Sequence, residues 1–158
     1  MWNGDTHYPP PAFAFAVAII GERAEELDTT DAGFREASGI DPHVDVEEIA
    51  EGGVNSHVHR VPGVTKHGTL MLKRGFVTKA SPFARWAGQT VGSTLGTPIV
   101  TRSVTLSLLG PGAQPVVTWT FANAWPVKWE VGGFDATRNE VLTEALEITY
   151  ATVTRTSG

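Results

Sequence analysis

The sequence predicts a mainly β fold, a two-sheet antiparallel β-barrel or sandwich with one short flanking α-helix. Three observations predict it. Apolar side chains recur at every second position in several short runs, the period of a half-buried strand. Glycine and proline punctuate those runs at close intervals, as turns require. A single stretch, opening on Ser81-Pro82-Phe83, carries the signature of a helix start.

The elements follow in order. Residues 1–11 end in Pro9-Pro10-Pro11 and read as a stiff, extended lead-in. In residues 12–20, Phe13, Phe15, Val17 and Ile19 alternate with alanines, which predicts a strand whose alanine side meets a second layer closely. Residues 22–33 are polar and acidic and read as a loop. Residues 34–38 and 44–49 read as short strands around the turn Gly39-Ile40-Asp41-Pro42. Glu51-Gly52-Gly53 then opens a long segment, about 52–68, with Pro62-Gly63 inside it and no clear period. A loop of that length in a compact domain is usually functional.

Residues 69–74 predict a strand with Leu70 and Leu72 on one face and Met71 and Lys73 on the other. The helix is expected over about 81–91, with Phe83, Trp86 and Ala87 on one face and Gly88 and Gly92 keeping it short. Residues 100–109 and 116–121 flank Gly110-Pro111-Gly112 and predict a hairpin. Trp125, Val127, Trp129 and Val131 alternate again, and Pro126 points to a strand end or an edge. Over 141–153, Leu146, Ile148 and Tyr150 alternate with polar partners and favour a final strand. The total is seven or eight strands and one helix.

Length and composition fit this reading. A chain of 158 residues makes one domain, 1–158, large enough to bury most of its unfolded surface without staples. There is no cysteine, which excludes disulfides, thiolate metal sites and cysteine nucleophiles. Charged residues make up 18%, below the ~25% of typical soluble domains. Their placement is uneven. Residues 1–51 hold twelve acids and two bases, residues 52–129 hold eight bases and no acid, and residues 130–158 hold five acids and two bases. Such a split permits complementary surfaces between identical copies. A pI near 5.5 argues against a nucleic-acid binder. The apolar run at 12–20 is too short to span a bilayer, and no signal peptide is read at the start. Assembly in the cytoplasm is therefore expected, with no membrane insertion by the subunit itself.

Catalytic chemistry finds little to stand on. His57-Val58-His59 would place two imidazoles on one strand face, but no carboxylate lies between Glu51 and Glu130 to complete a metal site. The glycine turns lack the lysine and hydroxyl of a phosphate loop, and there is no nucleophile elbow. Trp119, Trp125 and Trp129 are more often core or interface anchors than a sugar platform. A small metal- or sugar-binding β-barrel using His57, His59 and the tryptophans stays as the alternative. No enzyme and no cofactor are expected.

Several blocks, read in order, carry a resemblance. They are Tyr8-Pro9-Pro10-Pro11-Ala12-Phe13, Phe34-Arg35-Glu36-Ala37-Ser38-Gly39-Ile40, Glu51-Gly52-Gly53-Val54-Asn55, Leu72-Lys73-Arg74-Gly75 and Asn123-Ala124-Trp125-Pro126-Val127-Lys128-Trp129. Together they resemble the contractile phage tail-tube protein family, nearest to the inner-tube proteins of extracellular contractile injection systems, with a type VI secretion tube-like fold. The resemblance implies homohexameric rings that stack into a hollow tube. It implies a sheath protein outside, baseplate, spike and tube-cap proteins at the ends, and effector cargo or DNA in the lumen. The tube would end in a phage tail or an injection particle. Residues expected at contacts between subunits are Asn55, His57, His59, Arg60 and Lys66 in the long segment, with Lys73, Arg74, Trp125, Lys128 and Trp129.

Overall fold

The computed structural model describes residues 14–20, 34–50, 58–76, 81–94, 96–133, 137 and 140–157. The described residues form nine strands and one helix: β1 (Ala14–Ile20), β2 (Phe34–Ser38), β3 (His43–Ala50), β4 (Val58–Lys66), β5 (Leu70–Gly75), α1 (Pro82–Val91), β6 (Arg102–Leu109), β7 (Pro115–Val131), β8 (Thr143–Thr149) and β9 (Thr152–Ser157). All pairings among them are antiparallel.

The architecture turns on β7, which is long enough to serve two layers. Its first half pairs with β6 on one side and β9 on the other, and β1 continues beyond β6. Its second half, from Trp125, pairs with β8, and β5 and β2 continue beyond it. Between the halves Asn123 takes φ 50°, a left-handed conformation that asparagine tolerates better than most residues. Sandwich corners are made by strands that bend in this way from one sheet to the other. The two strands expected at 116–121 and 125–131 are therefore one bent strand. At the open side β1 and β2 approach each other without pairing, so the layers form a sandwich and do not close into a barrel.

Period two sets the core. Val17 and Ile19 of β1, Val104 and Leu106 of β6 and Phe121 of β7 face Leu70, Leu72, Leu146 and Ile148 of the other layer in one buried cluster. Their burial is the main driving force for the fold, at roughly 1.5–3 kcal/mol for each large side chain. The alanines of β1 lie on the opposite side, Ala14 exposed and Ala16 and Ala18 half-buried, and no second layer of the subunit covers them among the described residues. That expectation is corrected.

Helix α1 is built as its sequence dictates. The Ser81 hydroxyl accepts from the Ala84 N–H at 3.1 Å, Pro82 occupies the first turn, and the Gly92 N–H closes onto the Gly88 carbonyl. Phe83, Trp86 and Ala87 enter the core, and the Trp86 indole N–H donates to the Val100 carbonyl at 2.8 Å.

Two further expectations change. The segment at 52–68 is not a loop throughout. Residues 58–66 form β4, which pairs with β3 as a separate two-stranded ribbon. The single final strand is two, β8 and β9, parted at Tyr150 and Ala151.

Candidate assembly surfaces

Three surface features follow from this topology. The first is a set of open edges. Among the described residues, the first layer ends on β1 and β9 and the second on β2 and the latter half of β7, each with one side unpaired. Unpaired edges present rows of N–H and C=O groups and invite another chain. Val127, Trp129 and Val131 on the β7 edge are all more than a third exposed.

The second feature is the β3–β4 ribbon, which makes no sustained contact with any other element among the described residues. A lone two-stranded hairpin is marginal in water. This one also exposes Val44, Val46, Ile49 and Val64, at 48, 61, 52 and 69%. Two ion pairs close within it, Arg60 with Glu48 at 3.0 Å and Lys66 with Asp45 at 2.6 Å. The Lys66 hydrogen bond holds the Asp45 carboxyl below its ordinary range. The base of the ribbon is fixed. Gly39, at φ +84°, lies so close to the Thr69 carbonyl that a Cβ would sit 1.8 Å from its oxygen, and the Tyr150 hydroxyl donates to the Gly39 carbonyl at 3.3 Å. His67 packs on the Tyr150 ring at 5.4 Å. Burial, followed by the nearby Asp41 charge, raises the Tyr150 hydroxyl above its usual value.

The third feature is a groove of about 400 Å³ where the layers part beside β1 and β2. Phe15, Leu106, Leu108 and Trp119 line its apolar floor, and Arg35 and Glu36 stand at its rim.

The outer faces of the layers differ. The second layer carries a network of Lys73 with Glu36 at 3.2 Å, and of Lys128 with Glu130 at 3.0 Å and Glu147 at 3.6 Å. Hydrogen bonding to Glu130 raises the Lys128 pKa. The first layer presents Ser107, Thr118, Thr120 and Thr154 instead, with Ser107 and Thr118 hydrogen-bonded at 2.9 Å.

The residues expected at contacts divide accordingly. Asn55 and His57 lie outside the described residues. His59, Arg60 and Lys66 stand exposed on β4, and Lys73 and Lys128 on the charged outer face. Trp125 is half-buried against the core. Arg74 points inward: it is 3% exposed, pairs with Glu144, donates to the Ser81 hydroxyl at 2.6 Å and lies 4.8 Å from the centre of the Phe34 ring. It ties α1 to the second layer inside the subunit and is corrected as a surface contact. The Trp129 indole N–H reaches the same Glu144 carboxylate at 3.4 Å. The sequence signal for this buried cluster is its phase: Arg74 alternates in step with Leu70 and Leu72, and Glu144 with Leu146 and Ile148.

For the alternative reading, no group of three potential metal ligands gathers among the described residues. Trp119 lines the groove while Trp129 lies beneath α1, so the tryptophans do not share one platform. No helix among the described residues is long and apolar enough to cross a membrane.

A sandwich with open edges and a free-standing ribbon defines a class of antiparallel β protein. Within that class, the chain belongs to the family of the T4-like virus tail tube protein gp19, whose model matches residues 11–154. Among solved structures, it is similar at 28% identity to a chain of the anti-feeding prophage baseplate, with a TM-score of 0.75 over 95% of this chain and 97% of that one. It is similar at 22% to a chain of the sheath-tube complex of the extracellular contractile injection system PVC in the extended state, with a TM-score of 0.77 over 97% and 95%. Hcp1 from Flavobacterium johnsoniae shares 15% identity and a TM-score of 0.54 over 92% and 97%. The last two likenesses concern the fold. A comparison with curated proteins finds no match.

Proposed function

We propose that this chain is the inner-tube subunit of a contractile injection system or phage tail. Six copies close into a ring, and rings stack into a hollow tube through which cargo, effector proteins or DNA, is delivered. The observation that carries this reading is the tail-tube family match over residues 11–154, joined to the 28% identity with a chain of the anti-feeding prophage baseplate. The geometry supports it. Open edges at both ends of each layer let copies join laterally and consume unpaired backbone groups. The projecting ribbon is placed to reach a further copy, as a head-to-tail contact along a tube axis requires.

In this reading the subunit is structural and catalyses no reaction. Its partners are its own copies, a sheath outside, and baseplate, spike and cap proteins at the ends. It is made and assembled in the cytoplasm and ends in a tail or a released particle. The contact residues are those of the ribbon, Asn55, His57, His59, Arg60 and Lys66, with Lys73, Trp125, Lys128 and Trp129 on the second layer.

Arg60→Glu tests the ribbon's part. It places a carboxylate against Glu48 on an element outside the core, so the subunit keeps its fold and thermal midpoint while stacked tubes are lost. Normal tubes from this variant would contradict the assignment.

A further inference from the structure

We infer that the outer face of the first layer, carried by β1, β6, β7 and β9, is an uncharged channel wall that lets polypeptide cargo of either net charge pass without holding it. The inference rests on the tube-subunit reading and deepens it, by naming the surface that cargo meets and the class of cargo this surface suits.

The register lays this face out in rows. Across the four strands, Ala16, Ser107, Thr118 and Thr156 stand side by side, and so do Ala18, Thr105, Thr120 and Thr154. They alternate with the core positions Val17, Leu106 and Phe121, so both rows point away from the core. None of these side chains is charged or aromatic. The charged residues of β6 and β9, Arg102 and Arg155, fall at the other parity, with Val104 and Trp119.

Strand propensity does not account for this. Threonine suits a strand, but the outer face of the second layer, also antiparallel, carries Glu36, Lys73, Lys128, Glu130 and Glu147 in ion pairs. A sheet face turned to water ordinarily bears such polar groups. Nor does the first face fit a docking site for a fixed partner, because it lacks the aromatic and arginine anchors that concentrate binding energy. Its hydroxyls are partly engaged within the sheet: Ser107 bonds with Thr118 at 2.9 Å, and Thr105 donates to the Ala18 carbonyl at 3.5 Å. The result is a surface of short side chains with little to grip.

A channel amplifies any charge on its wall. The protein around it has a low dielectric, which focuses the field into the water inside, and a ring repeats each charge on every copy. A wall of one sign would hold cargo of the opposite sign and turn back cargo of its own, over the roughly 8 Å that physiological salt leaves unscreened. Polypeptides differ in sign, so a neutral wall passes them all. DNA is a uniform polyanion, and serine and threonine hydroxyls are donors to its phosphates. This face offers such hydroxyls with no carboxylate beside them to keep phosphate off, so it suits polypeptide and not DNA. The first layer ends on open edges at β1 and β9, so copies joined there continue the same face around the ring.

Because the native chain has no cysteine, a single thiol can be placed on this face. Thr118→Cys and, as a second site, the exposed Thr154→Cys are made in the full-length protein and assembled into tubes. Each thiol is timed with a cationic and an anionic methanethiosulfonate of similar size, and the ratio of the two rates is compared with that in dispersed subunits. At low salt the ratio should stay within about threefold of the subunit value. A larger shift means a charged wall and overturns the inference. A polymer-linked maleimide should react at least about tenfold more slowly in tubes, since modification follows exposure. If it does not slow, the face lies outside the channel, and the inference falls while the tube reading stands. A short DNA duplex added to the tubes should leave the rates unchanged, and protection that salt reverses would assign the wall to DNA instead. If both variants fold but neither assembles where the native chain does, the face is a packed contact and no wall. If the native chain itself forms no tubes, the tube reading fails, and this inference with it.

Discussion

Arg74 and Glu144 stand opposite each other across β5 and β8, on the inner face, at 2 and 5% side-chain exposure. A buried pair contributes little over an apolar replacement, but removing one partner strands the other, at a cost of about 3–5 kcal/mol. Glu144→Leu should lose that much in chemical denaturation, and the double variant Arg74→Met/Glu144→Leu should recover most of it. Recovery absent from the double variant would mean that Arg74 serves α1 chiefly through Ser81. The pair was legible in the sequence as charges in phase with core leucines and isoleucine. It is masked because an arginine on a strand ordinarily faces water. Asp45 and Lys66 make a contrasting, exposed pair. Because Lys66 holds the Asp45 carboxyl below its ordinary value, the contribution is present above the usual carboxylate range and is lost as pH falls through the depressed value. Protection of the β3 and β4 amides, relative to their intrinsic exchange rates, should therefore fall below about pH 4, with Asp45→Asn removing the dependence.

At the scale of elements, the bend at Asn123 decides whether the two layers share a strand. A left-handed backbone costs a β-branched residue roughly 1–2 kcal/mol, and glycine nothing. Asn123→Val should lower the thermal midpoint while Asn123→Gly leaves it near the native value. Equal midpoints would remove the bend from the account. The helix is legible in the sequence because its signals are local: a capping serine, a proline behind it and glycines at its end. Strand β4 is obscured in the sequence because its local signals conflict. Pro62 and Gly63 look like a turn, yet Pro62 sits opposite Val46 beside a bulge, where a ribbon with free outer edges accommodates proline. The continuity of β7 was hidden for the same kind of reason, since Pro126 and the left-handed Asn123 both read as breaks. Which strands become edges depends on pairings far apart in sequence, such as β2 with β5 and β7 with β9, and no local period encodes them.

For the whole molecule, the central claim is that edges and ribbon left open in one subunit are satisfied by neighbouring subunits. The low content of charge and the acidic–basic split along the chain permit such contacts, and among the described residues part of that split is used within the subunit, as in Arg74 with Glu144 and Lys73 with Glu36. Lateral joining and axial stacking are separable contacts, so Arg60→Glu should leave rings while removing tubes. Rings of six would have a mass of about 101 kDa, six times 16.9 kDa, and sedimentation equilibrium would report it. The most direct measurement is electron microscopy of the purified full-length chain at high concentration, alone and together with its sheath and baseplate partners. Six-fold rings and hollow tubes of uniform width are the expected result. A chain that stays strictly monomeric under both conditions would contradict it.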